Sequence, residues 1–72
     1  MTRKDYKLIA NSFAWAIVLC NEIKQPTTSI YMAIGTLSYD LGQENPRFDR
    51  ERFTAEIETL VAKKTAERKE VA

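Results

Sequence analysis

Arg47, Arg50 and Arg52 interleave with Phe48 and Phe53 in NPRFDRERF, residues 45–53. Guanidinium groups beside aromatic rings grip phosphate and stack on bases, so this is the stretch with the clearest binding chemistry. Lys63, Lys64, Arg68 and Lys69 follow it, and Arg3, Lys4 and Lys7 open the chain. One functional reading is therefore a small nucleic-acid-binding module using Arg47, Arg50, Arg52, Lys63 and Lys64. Asp49, Glu51, Glu56, Glu58, Glu67 and Glu70 are mixed through the same segment, and the formal net charge is +1. No global basic field for nucleic acid or an anionic membrane results. A helix-turn-helix over residues 28–41 also fails, because Ala33 and Gly35 do not have the spacing that lets two helices meet in that motif.

Catalysis finds little material. The chain has no histidine, which removes the commonest general base and the usual Ser–His and Cys–His pairs. Cys20 is the single cysteine, lies on an apolar helix face and reads as core filler. Gly35 and Gly42, the only glycines, make no phosphate loop. The carboxylates Glu44, Asp49, Glu51, Glu56 and Glu58 are not spaced as a calcium loop and read as caps and solvated helix surface. The sequence argues against a stand-alone enzyme and nominates no catalytic, cofactor-binding or metal-ligating residue.

The elements that carry these residues are three amphipathic helices. Asp49 is a good N-cap for the third. With it in that place, Phe48 (N′) and Phe53 (N4) form a hydrophobic staple. Pro46 forces Asn45 into an extended conformation and stops the preceding helix, and Gly42 is a candidate left-handed C′ residue. An alternative cap at Asn45 with Pro46 at N1 starts the third helix a turn earlier.

The first helix spans Met1 to Ile23, with Thr2 as cap and Asp5 in the capping-box position. Tyr6, Ile9, Phe13, Ala16, Cys20 and Ile23 recur at steps of three and four along one face. Leu8, Trp15 and Leu19 form a second stripe, so FAWAIVLC is apolar nearly all round. Lys24, Gln25 and Pro26 end this helix, and Thr27, Thr28 or Ser29 caps the next. Ile30, Ile34, Leu37 and Leu41 give the second helix its inner face, broadened by Tyr31, Met32 and Ala33, with Gly35 expected to permit a close helix crossing. Phe53, Ile57, Leu60 and Val61 point inward from the third. Residues 63–72, beyond Ala62, have no apolar stripe and read as a charged, frayed helix end or solvated tail.

The expected fold is all-α, a compact three-helix bundle with the first helix as spine and a charged C-terminal extension after a domain of residues 1–62. At 44% apolar and 29% charged, the 72 residues suit one globular domain near the lower limit for an unaided core. The longest apolar run, Phe13 to Cys20, is far short of a bilayer span and contains no basic residue for a surface helix. With no apolar signal segment at its start, the chain reads as soluble and cytoplasmic. Two helices cover a third poorly in so small a protein. Either Trp15 and its neighbours lie mid-bundle, or Leu8, Trp15 and Leu19 form an interface to a protein partner or to a second copy in a symmetric dimer.

MTRKDYKLIA at Met1 to Ala10 and NPRFDRERF together resemble a group of very small, functionally uncharacterised proteins of bacteriophages and prophages. Their members pair MTRKDYxxIA with NPRFDxxRF. The match covers about a quarter of the chain and leaves Asn11 to Glu44 outside it. The resemblance implies an infected or lysogenic bacterial cytoplasm, with a host protein among the candidate partners, and supplies no catalytic residue. Capping and helix docking account for Asp5, Tyr6, Arg47, Asp49 and Phe53 without a ligand. The strongly apolar FAWAIVLC departs from the pattern.

Overall fold

The computed structural model of the chain describes residues 2–71, with side chains described for residues 2–69. Met1, expected as the helix start, and Ala72, the end of the charged extension, lie outside the described residues. Three helices, α1 (Arg3–Glu22), α2 (Thr28–Glu44) and α3 (Arg50–Val71), make an all-α bundle with no strand among the described residues.

The local grammar decides the boundaries. Thr2 and Asp5 close a full capping box, with Asp5 Oδ2 accepting from the Thr2 backbone N–H at 3.0 Å. Asp49 Oδ1 accepts from the Arg52 N–H at 3.0 Å, and the Phe48 and Phe53 rings staple the entry to α3 with centroids 5.4 Å apart. α1 ends in a Schellman turn: the Gln25 N–H donates to the Cys20 carbonyl at 2.8 Å, and Lys24 takes the left-handed conformation (φ 58°).

Gly42 does not end α2. The helix runs on to Glu44, no described glycine has a positive φ, and Asn45 caps it in extended geometry (φ −135°, ψ 104°). Pro46 acts only on the residue before it, so the helix continues to the last position that proline permits.

α1 and α3 run parallel. Tyr6 meets Phe48 at one end (centroids 5.2 Å apart), and Glu22 pairs with Arg68 at the other. α2 packs against both, and the α1–α3 contact is by far the largest. At 20 and 22 residues these two helices are about 30 Å and 33 Å long. The radius of gyration is accordingly 12.9 Å, against about 11 Å for an average globular chain of this length.

Ala10, Ile17, Ile34, Phe53 and Ile57 form the core cluster, flanked by Ile9, Phe13, Ile30, Phe48, Leu60 and Val61. Ile9 and Phe13 of the expected face thus pack on the core, but the fully buried side of α1 is Ala10, Ala14, Ile17 and Val18, while Ala16 and Cys20 are half-buried and Ile23 is exposed. Alanines at the seam let a neighbouring helix come close enough for isoleucines to interlock.

α2 buries Ile34 and Ser38, the serine hydroxyl donating to the Ile34 carbonyl at 2.7 Å. Tyr31, Met32 and Ala33 do not broaden that face; all three are exposed. Gly35 permits no close crossing, because nothing lies within 4 Å of where its Cβ would stand.

Of the two readings for the charged extension after Ala62, the helix end is the one seen: α3 continues to Val71. Its late turns find contacts on α1 that an apolar stripe does not reveal.

Two substitutions test this packing. Gly35→Ala should raise stability by about 0.5–1 kcal/mol, since a helical site in open space gains propensity without a clash; urea midpoints measure it, and a loss would mean that something packs there. Ile57→Ala should cost about 2–5 kcal/mol, enough to unfold a domain this small near room temperature, and circular dichroism would register it.

Candidate functional site

Leu8, Leu19 and Ile23 are 65%, 48% and 68% exposed. At 100° per residue Leu8 and Leu19 share the side of α1 opposite Ala10, Ala14 and Ile17, and Ile23 follows as the C-cap. Trp15 belongs to the same side by spacing but is half-buried. Lys64 Nζ sits 4.4 Å from its ring centroid and Arg68 Cζ 5.8 Å, a pair of cation–π contacts. Arg68 also forks onto Glu22, with Nη2 donating to Oε2 at 2.8 Å. One indole and one carboxylate thus hold the second half of α3 against α1.

These contacts divide the cations of NPRFDRERF and its extension. Arg50 turns toward Tyr39, its guanidinium carbon 6.0 Å from that ring, with its stem beside Gly42. Lys64 lies over Trp15, and Lys63 projects from α3 into solvent. Arg47 and Arg52 go elsewhere. They line an open cleft of about 420 Å³ together with Arg3 and Lys7 from the start of α1. Tyr6, Phe48 and Phe53 form its aromatic wall, while Asp49 and Glu56 bring two carboxylates to it. Asn45 fixes the corner: its Oδ1 accepts from the Arg47 N–H at 3.0 Å, and its Nδ2 donates to the Tyr6 hydroxyl at 3.5 Å. The candidate interface residues Leu8 and Leu19 stand open, and of the candidate phosphate-binding residues only Arg47 and Arg52 come together.

Sequence reasoning missed the pairing of Arg3 and Lys7 with Arg47 and Arg52. The signal was the capping box: a helix fixed at Thr2 puts both basic residues on its first two turns, beside Tyr6.

Arg68 beside Glu22 holds that carboxyl below its ordinary range. The Thr2 backbone N–H, then its hydroxyl, does the same for Asp5. Among the described residues no group of three or more His, Cys, Asp or Glu side chains gathers as a metal site, and no helix is long and apolar enough to cross a membrane. No protein-family model, curated protein or solved structure matches the chain.

Both depressed carboxyls bind protons more weakly in the folded chain than in the unfolded one. Their contribution is complete above the ordinary carboxylate range and is lost as pH falls through the folded values. Urea midpoints should therefore drop on acidification below about pH 4.5, the ordinary glutamate value. A Glu22→Gln, Asp5→Asn variant should start lower at neutral pH and fall less steeply; an identical acid limb in both proteins would remove these two groups from the account.

Proposed function

We propose that this is a non-enzymatic, phage-type small helical protein that works by protein–protein contact, self-associating or binding a host protein in the bacterial cytoplasm. The observation that carries the reading is the row Leu8, Leu19 and Ile23, two large aliphatic side chains on the solvent side of α1 and a third at its C-cap, on a helix whose other side already fills the core. Scattered exposed leucines are ordinary, but a row along one helix face is the pattern of a helix that packs twice. Trp15, covered by Lys64 and Arg68, borders the row rather than anchoring it.

The nucleic-acid alternative has less support. Its five residues separate into Arg50 on Tyr39, Lys64 on Trp15, Lys63 in solvent, and Arg47 with Arg52 in the cleft.

Light scattering across a dilution series, with Leu8→Glu, Leu19→Glu beside the parent chain, tests the proposal. Substitutions at such exposed sites should change stability by no more than about 0.5 kcal/mol. The parent should exceed monomer mass or retain a host protein on a pull-down, and the variant should do neither. A parent that stays monomeric and retains the same proteins as the variant would end the proposal.

A further inference from the structure

The cleft at the corner is a different surface from the apolar row of α1 and does not depend on it. Arg3, Lys7, Arg47 and Arg52 reach it from two segments far apart in sequence, brought together because the Thr2 and Asp49 caps start two parallel helices at the same end of the bundle. None of the four joins an ion pair with a described residue; the described ion pair is that of Glu22 and Arg68. Of the two carboxylates, Asp49 already gives one oxygen to the Arg52 backbone N–H.

An anion placed in the cleft would meet three guanidinium groups and one ammonium. Guanidinium forks match a phosphate with two parallel hydrogen bonds, which a single ammonium does not.

The rest of the lining is largely aromatic. Tyr6 and Phe48 are half-buried, with centroids 5.2 Å apart and ring planes inclined at 39°. They supply a surface on which a planar ring can lie. About 420 Å³ is the room of a small-molecule site, more than a bare phosphate needs. Four cations against two carboxylates leave an excess that balances one phosphate monoester rather than a long polyanion. The formal net charge of +1 for the whole chain points the same way.

We propose that this cleft binds a nucleoside monophosphate unit, either a free mononucleotide or the 5′-phosphate end of a strand. Arg3, Arg47 and Arg52 take the phosphate, and the Tyr6–Phe48 wall takes the base.

Amide NMR titrations of the full chain test it, using AMP, adenosine, inorganic phosphate, and a short oligonucleotide with and without its 5′-phosphate. AMP should give saturable shifts centred on Arg3, Tyr6, Arg47, Phe48 and Arg52. Adenosine and inorganic phosphate should each bind at least about tenfold more weakly, since each lacks half of the recognised chemistry. Saturable binding of the 5′-phosphorylated oligonucleotide without binding of AMP would assign the strand end as the source; the reverse would assign the free nucleotide. Equal binding of the oligonucleotide with and without its 5′-phosphate, or of inorganic phosphate and AMP, overturns the proposal. So does the absence of saturable shifts at the cleft.

Arg47→Gln, Arg52→Gln should weaken AMP by about tenfold or more, one charge-assisted contact being worth that much. The dispersion of the same spectra reports whether this variant folds. If it does not, Arg3→Gln, Lys7→Gln on α1 should give the same loss, and unchanged affinity in a folded variant overturns the assignment.

Discussion

The seam between α1 and α3 is the interaction on which the rest of this protein depends. Ala10 and Ile17 on one side meet Phe53 and Ile57 on the other, and only Ile34 of α2 joins that buried cluster. A core with so few fully buried side chains is near the limit for an unaided domain, so its helices need help at both ends. The Thr2–Asp5 box and the Asp49 cap secure one end, and the Glu22–Arg68 fork and the cations on Trp15 secure the other. α2 has little of either. Its N-cap Thr27 makes no side-chain cap bond, and its outer face, from Met32 through Gly35 to Tyr39, touches solvent. Local opening of this protein should therefore begin in α2.

What was legible in the sequence was whatever a side chain does to its own backbone. Thr2, Asp5, Asn45, Pro46 and Asp49 act on groups within a few residues of themselves. Helix number, the corner and the staple could be read without knowing any tertiary contact. Gly42 was misread because two stop signals lay close together: glycine merely tolerates a left-handed turn, whereas proline excludes a helical residue before it. The stronger constraint set the end.

Only part of the face of α1 was legible, Ile9 and Phe13, for a physical reason. Where apolar residues occur all round a helix, hydrophobic periodicity has no single phase. What then selects the inner side is how closely a neighbour can approach. Alanines win that contest through smallness, and a search for large apolar residues passes over Ala10 and Ala14. The last turns of α3 were obscured in the opposite way. Lys64 and Arg68 look like solvated charge until Trp15 and Glu22 appear beneath them, because the stems and heads of long cationic side chains can cover apolar and acidic surface alike.

The same allocation explains the candidate sites. The fold gives some of the charged residues a structural use and leaves others without one. Asp49 caps, Arg50 lies along Gly42 and Tyr39, and Lys64 and Arg68 fasten α3 to α1. Arg3, Lys7, Arg47 and Arg52 have no such partner among the described residues and line one aromatic-walled cleft. The parallel start of α1 and α3 brings the four to the same end of the bundle once both caps form. The contacts that define the fold therefore also assemble the corner.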